Sequence, residues 1–391
     1  MSTSVCMIAY TNYTTDARVR REAETLAATD EFQVTFLSLM EGKTARDYIR
    51  DRVHVKELRI RKYRGKNRIR YILSYLAFLT LSFLECAKRT LSGQLDVAHV
   101  HNMPNFMVFA AMPAKCLGKK VILDIHDSVP ETYLAKFSTG GPGILYRLLC
   151  LEERVCCGFA DRLICVNHPQ MEALALRGIR PEKIIVSMNV PDPKLFRKSN
   201  GSPRKHGKKI HLVYHGTITK RLGIDLAIRA VARIAESRPD VKFIILGEGD
   251  DAGEFTALIQ SLHAEEAVRF ENRMIPVEDL NAFLEKMDIG IVANRKNIAT
   301  DLMLPVKMLE YIALGIPVAA PRLKTISWYF TDDMVSYFEP ENVDSLAGAI
   351  EVLVQSPEKR RKQSRNAGAF FEKYGWEKQK YDLLNLYRRL A

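Results

Sequence analysis

Lys307 and Glu310 stand three residues apart in the segment Leu304–Val318 (LPVKMLEYIALGIPV). Pro305 suits a first helical turn, and Gly315 followed by Pro317 suits a helix stop. That spacing puts both side chains on one face near the helix start. A carboxylate there can accept both hydroxyls of a ribose, and a lysine beside it can meet a phosphate oxygen. Without a ligand the same two residues read as a surface ion pair. A second segment, Tyr214–Gly223 (YHGTITKRLG), follows an apolar run and precedes an amphipathic one. Gly216 lets a ligand approach the backbone, and Lys220 and Arg221 add two cations. The helix start beyond Gly223 offers free N–H groups and a positive dipole end. Together these features hold a diphosphate without a metal; alone, the second segment is a polar loop.

Such groups need strands and helices to place them. Short apolar runs at Ser4–Tyr10, Gln33–Leu39, Asp96–His101, Lys119–Ile125 and Asp161–Val166 read as buried strands. Ala17–Ala28, Pro104–Leu117 and Ile144–Gly158 read as helices between them. Asp192–Lys209 then breaks the rhythm with Pro, Gly, Ser and seven basic residues, which predicts a linker, set at 196–209. The rhythm restarts with strands at Ile210–Tyr214, Val241–Leu246, Ala267–Glu271, Asp288–Ala293 and Ile316–Ala320. Helices are expected at Ile224–Glu236, Phe255–His263, Val277–Lys286 and Val306–Leu314, then at Val343–Gln355, Glu358–Tyr374 and Glu377–Leu390. The pattern predicts an α/β chain of two doubly wound, Rossmann-like domains, 1–195 and 210–375, facing across a ligand-binding cleft. The last helix, 376–391, is expected to cross back onto the first domain.

The ordered motifs resemble the family 4 glycosyltransferases of the GT-B fold. Besides the Lys307–Glu310 segment, Leu246–Asp250 (LGEGD) looks like that family's G-x-G after a C-domain strand. Asp16-x-Arg18 resembles its first helix start, and Asp124–Glu131 (DIHDSVPE) its N-domain histidine–aspartate segment. The resemblance implies a retaining, metal-independent enzyme whose C-terminal domain binds a nucleotide-sugar. No D-x-D occurs, and neither metal nor cofactor is expected. Gly216, Lys220, Arg221, Lys307 and Glu310 would then bind the donor. His126 and Asp127 would be catalytic, and Asp16, Arg18 and Glu131 would face the acceptor or the sugar. Where the commoner motif has a glutamate, this chain has Leu302, and the adjacent Asp301 is the expected substitute. UDP is the expected nucleotide, with GDP second.

The composition, 47% hydrophobic and 27% charged, excludes a disordered or fibrous chain. Seven cysteines without a C-x-x-C pair point to a reduced, cytoplasmic protein. The net charge of +12 is concentrated at the linker and at Arg59–Arg70, where seven of twelve residues are basic. Tyr71–Leu84 follows, apolar and too short, at fourteen residues, to span a bilayer. It predicts peripheral attachment to an anionic membrane through Arg64, Lys66, Arg68, Arg70, Tyr71, Tyr75 and Phe78. A buried core helix after a basic strand is the plainer reading. The expected partners are a nucleotide-sugar, a lipid-linked or glycan acceptor and that membrane's inner face, with no nucleic acid. A nucleotide-sugar epimerase or hydrolase of the same fold, or a basic membrane- or nucleic-acid-binding protein, are the competing readings.

Overall fold

Most of the predicted strands are runs of mainly apolar residues, as strands buried on both faces of a parallel sheet are. The computed structural model describes residues 2–63, 65, 67–137, 143–197 and 209–391. Arg64, Lys66, the Arg68 side chain and most of the 196–209 linker lie outside the described residues. The chain divides into two units, Met1–Asn189 with Gln379–Ala391, and Val190–Lys378. The division therefore falls ahead of the expected boundary at residue 195.

The first unit is built on β1 (Thr3–Ile8), β2 (Phe32–Leu39), β3 (Asp47–Arg50), β4 (Val53–Leu58), β5 (Val97–His101), β6 (Lys120–Ile125), β7 (Arg162–Cys165) and β8 (Ile184–Val186). They form one sheet in the order 3-4-2-1-5-6-7-8, parallel except where β3 runs antiparallel to β4. Its helices are α1 (Ala17–Ala27), α2 (Arg68–Leu91), α3 (Met112–Cys116), α4 (Val129–Phe137), α5 (Ile144–Phe159) and α6 (His168–Leu176). A 3-10 helix, Asn105–Ala111, runs into α3, so the expected helix over 104–117 is two short pieces.

Strand alternation sorts the helices into layers. Cys6, Ile8, Ala98, Val100, Val121, Leu123 and Ile125 share one hydrophobic core with residues of α2, the 3-10 helix, α3 and α5. The intervening positions, including His99, His101 and Asp124, point to the other face, where Arg18 of α1 binds Asp124.

The α2 helix is longer than the apolar run read from the sequence. It has 24 residues, and Ile69–Leu91 is long and apolar enough to cross a membrane by length and composition. Its inward line is Phe78, Ser82, Cys86 and Thr90, all buried. Phe78 is thus a correction to the expected membrane contacts, because four-residue spacing turns it into the core. Tyr75 likewise lies against Tyr10, with ring centroids 4.4 Å apart, rather than outward. Tyr71 and Arg70 are exposed.

The second unit carries β9 (Ile210–His215), β10 (Val241–Leu246), β11 (Val268–Glu271), β12 (Ile289–Ile291), β13 (Val318–Pro321) and β14 (Ser336–Phe338), all parallel, in the order 11-10-9-12-13-14. Around them lie α7 (Ile224–Ser237), α8 (Ala252–Ser261), α9 (Val277–Leu284), α10 (Val306–Ala313), α11 (Lys324–Tyr329), α12 (Val343–Gln355), α13 (Pro357–Gly368) and α14 (Phe370–Tyr374). The strand order reverses at β9, and ligands of such sheets bind beyond the carboxyl ends of the strands at that point.

The last helix, α15 (Trp376–Arg388), ends in the first unit. Tyr387 is fully buried there, with its hydroxyl 2.6 Å from His99 Nδ1. Arg388 pairs with Glu31 at 2.6 Å.

Candidate active site

In the second unit, the site forms where the β9 and β10 ends touch. Gly216 has φ +111° and Gly247 φ +151°, both in the range that favours glycine. A Cβ on Gly247 would lie 1.8 Å from the Gly216 carbonyl oxygen, and one on Gly249 2.0 Å from that of Ile218. The G-x-G segment is thus pressed on the Gly216 loop by backbone contact alone. The Gly216 N–H donates to Leu246 O, and the Ile218 N–H to Glu248 O.

Helix α10 brings Lys307 and Glu310 to that loop. Lys307 Nζ is closed off from solvent and has no hydrogen-bond partner among the described residues. It lies 3.6 Å from the centroid of the Tyr214 ring and beside Gly216, where a Cβ would stand 3.4 Å away. Burial pushes its ammonium down to about 7, against the pull of Glu310. A buried cation beside a ring face gains some cation–π attraction, but its donors stay unused. A dianionic phosphate within reach would use them and restore the full charge.

Glu310 is held by His215, a residue outside the expected donor set. Glu310 Oε2 accepts from His215 Nε2 at 2.7 Å, and His215 Nδ1 then accepts from the Tyr311 hydroxyl at 2.9 Å. The acceptor-only carboxylate fixes the histidine tautomer, and the histidine fixes the carboxylate. The signal was a polar residue at the carboxyl end of an otherwise buried strand, directly before a glycine. Tyr311 is itself pinned, because a Cβ on Gly290 would lie 2.3 Å from its ring.

The other expected donor residues are distributed differently. Lys220 and Arg221 lie exposed in a 3-10 turn, Lys220–Leu222, that ends on Gly223 in the left-handed conformation. Helix α7 starts at Ile224 with no side-chain cap on its first turn, so the open N-terminus of the expectation is present. Lys220 is committed to Glu254 in an exposed pair. Asp301 accepts from the Lys324 N–H at 3.1 Å, which ties its carboxylate to the start of α11. Of the expected donor set, Gly216, Lys307 and Glu310 come together.

In the first unit, the expected catalytic histidine sits in a buried charge cluster. His126 Nε2 is 3.1 Å from Asp124 Oδ2 and 3.0 Å from His101 Nδ1. His101 Nδ1 is 3.2 Å from the same Asp124 oxygen. Arg18 Nη2 contacts both Asp124 oxygens, at 2.8 and 3.0 Å, and its Nε reaches Glu22 at 3.3 Å. Burial raises the Asp124 carboxyl, but Arg18, His126 and His101 outweigh it and hold the group well below the usual carboxylate range. Burial and the neighbouring His101 keep His99 neutral. The His126 side chain keeps 20% of its surface exposed while Asp124 has none. His126 is therefore the member that solvent reaches.

Asp127 is exposed beside it, and its carbonyl accepts from Asn102 Nδ2 at 2.9 Å. Asn102 Oδ1 also accepts from the His126 N–H at 2.7 Å, so one amide side chain shapes the loop.

The residues expected on the acceptor side are turned inward. Arg18 is buried on Asp124 and Glu22, and Asp16 caps α1 by accepting from the Val19 N–H. Glu131 is buried against Arg177, which also binds Glu153. The charges of Arg18 and Glu131 are thus already matched, and Asp16 serves the start of α1.

Glu22, His99, His101 and Asp124 each offer a ligand atom within 4.8 Å of the others, a set whose types can hold a metal ion. Arg18 already covers both Asp124 oxygens, so a second cation would have to displace a buried guanidinium.

Both halves of the chain match known families. Residues 17–194 match the family model described as Glycosyltransferase Family 4, and residues 196–370 that described as Glycosyl transferases group 1. Among curated proteins, the chain is 23% identical over 270 residues to a phosphatidylinositol N-acetylglucosaminyltransferase subunit from Arabidopsis thaliana, covering 68% of this chain and 56% of that one. It is 25% identical over 245 residues to D-inositol 3-phosphate glycosyltransferase of Kribbella flavida, covering 59% and 56%. The matches span a little over half the length of these two relatives. Among solved structures, sucrose-phosphate synthase of Thermosynechococcus elongatus has a TM-score of 0.80 at 17% identity over 99% of both chains. HepE of Anabaena in complex with UDP has a TM-score of 0.71 at 14% identity, over 99% of this chain and all of that one. These likenesses establish the GT-B fold.

Proposed function

The chain belongs to the group 1 glycosyltransferases of family 4, and from that membership we propose that it moves a sugar from a nucleotide-sugar to an acceptor hydroxyl. The observation that carries the reading is Lys307: a buried ammonium without a hydrogen-bond partner among the described residues, beside the Gly216 backbone and one helical turn from Glu310. Glu310, oriented by His215, accepts the ribose hydroxyls. Lys307, the open start of α7 and Arg221 meet the diphosphate. UDP is the proposed nucleotide, in keeping with the UDP held by the structural neighbour from Anabaena.

The leaving diphosphate gathers negative charge as the glycosidic bond breaks, and preorganised cations and N–H groups stabilise it there. The acceptor hydroxyl attacks from the face the diphosphate leaves, giving its proton to a departing phosphate oxygen, so the anomeric configuration is retained. His126 donates or accepts a hydrogen bond at a sugar hydroxyl, with Asp124 and His101 fixing its ring. The reading needs no bound metal in this step.

The acceptor is proposed to be lipid-linked or a glycan, met at an anionic membrane surface on the cytoplasmic side through α2. Support comes from the exposed Ile69, Ile72, Leu73 and Leu76, next to a start rich in arginine and lysine. Incubation with radiolabelled UDP-sugars and a membrane lipid extract tests the transfer. Label moving into the lipid phase in a Lys307-dependent way supports it. Release of free sugar regardless of acceptor favours a hydrolase.

A further inference from the structure

Helix α2 is not the lone apolar surface of its layer. Helix α5 exposes Ile144, Leu145, Leu148, Leu151 and Val155. The spacing of residues 144, 148, 151 and 155 puts them on one face. Surface helices of soluble domains normally turn polar residues outward and bury the apolar stripe. Here the solvent side of the helix is the leucine side.

The charges are sorted with equal consistency. The exposed charged residues of α5 are Arg147 and Arg154. Its two acids are engaged inward: Glu153 is buried on Arg177, and Glu152 accepts from Asn105 at 3.0 Å and from the Cys156 thiol at 3.4 Å. On α2 the exposed charges with described side chains are Arg70 and Lys88, while Glu85 is taken up by Lys56 and Arg89. Both helices therefore present apolar groups and cations outward, and no carboxylate.

The two helices lie in one layer. Both pack on the 3-10 helix between them, where Phe106 meets Tyr75 of α2 at 6.5 Å and Phe109 meets Phe159 of α5 at 5.1 Å. Both cover the same sheet face through one core, so their outward sides share a direction. Met112 at the start of α3 and Leu117 just past its end are also exposed.

We propose that α5 is a second lipid-contacting element, and that α2, α3 and α5 lie together in the interface of an anionic bilayer leaflet. This rests on the reading that α2 meets a membrane. The buried line of α2 keeps that helix in the plane, since a spanning helix cannot also close the core of a water-soluble sheet. A second copy of the chain is a poor occupant, because a two-fold contact would set Arg70, Lys88, Arg147 and Arg154 against themselves without an acid. Anionic headgroups complement the cations, and acyl chains complement the leucines.

The test is co-sedimentation of the full chain with phosphatidylcholine vesicles, with and without phosphatidylglycerol. The variants are Leu148→Glu with Leu151→Glu in α5, and Leu73→Glu with Leu76→Glu in α2. Thermal melting and UDP binding are measured on each, so a folding defect or a lost donor site is seen separately. Both pairs are expected to weaken binding to anionic vesicles by at least about tenfold. Arg147→Gln with Arg154→Gln is expected to cost about thirtyfold on anionic vesicles alone, at about 1 kcal/mol for each of the two charges near the surface. If the α5 pair binds as the unaltered chain does while the α2 pair fails, the α5 proposal is overturned and the α2 reading stands. If the unaltered chain binds no vesicle, both fall. A dimer that the α5 pair dissociates, without vesicle binding, would assign the face to a second copy instead.

Discussion

At the residue scale the decisive charges are buried before a substrate arrives. Lys307 carries an ammonium that burial holds near pH 7. A bound diphosphate would raise it again, so binding at pH 8 must take up a proton, approaching one per site. Calorimetry in two buffers of different ionisation enthalpy measures this directly. Buffer-independent heat, or the same uptake in Lys307→Met, would remove Lys307 from the diphosphate site. His126 makes the opposite kind of case, since its cluster lies in the other unit from Lys307. His126→Ala is expected to lower kcat by about 10-fold or more, the worth of one hydrogen bond realised at the reacting sugar, with nucleotide affinity unchanged. An equal loss in nucleotide affinity would place that histidine elsewhere in the cycle.

At the element scale, strand ends and helix starts are positioned by backbone contact and by long-range pairs. Gly249 touches the Ile218 carbonyl so closely that Gly249→Ala must push the Gly216 loop away. Nucleotide affinity is expected to fall at least about tenfold while the fold survives, as circular dichroism with a binding titration would show. Tyr387→Ala is expected to lower stability by about 3–5 kcal/mol, because it removes a fully buried ring from the first unit and leaves the buried His99 nitrogen unpaired. A denaturant melt measures it, and a change under about 1 kcal/mol would mean that α15 is not part of that core.

The sequence made most of these elements legible. Apolar runs marked ten of the strands, and Pro305 and Gly315 bracketed α10. The β3–β4 hairpin stayed hidden because its turn uses Asp51 and Arg52 at positive φ rather than a glycine, and β3 is short and mostly exposed. The Lys307–Glu310 pair was legible because both residues sit in one helical turn. His215, 95 residues from Glu310 in the chain, was not, nor was the inward turn of Arg18 onto Asp124, 106 residues away. Pairings of that separation are set by strand order, which local pattern does not encode. The outward leucines of α5 are legible in the sequence only as part of a helix, because periodicity shows that a stripe exists but not which side of it faces the core.

At the scale of the whole molecule, each unit is built on a mainly parallel sheet, and the chain's last helix returns to the first unit. The excess of cations, +12, suits ligands and surfaces that bring phosphate. Everything proposed for the reaction depends on the second unit binding a nucleoside diphosphate through Lys307 and Glu310. Thermal melting of the full chain with UDP, GDP and ADP examines this binding without knowledge of the sugar or the acceptor, with Glu310→Ala in parallel. A ligand that binds the folded state raises the melting temperature by mass action. A selective rise with UDP is expected, and Glu310→Ala should lose it, its affinity falling about 10- to 100-fold for the loss of a charged hydrogen-bond acceptor. A rise of the same size in Glu310→Ala, or no rise with any of the three nucleotides, would contradict the assignment.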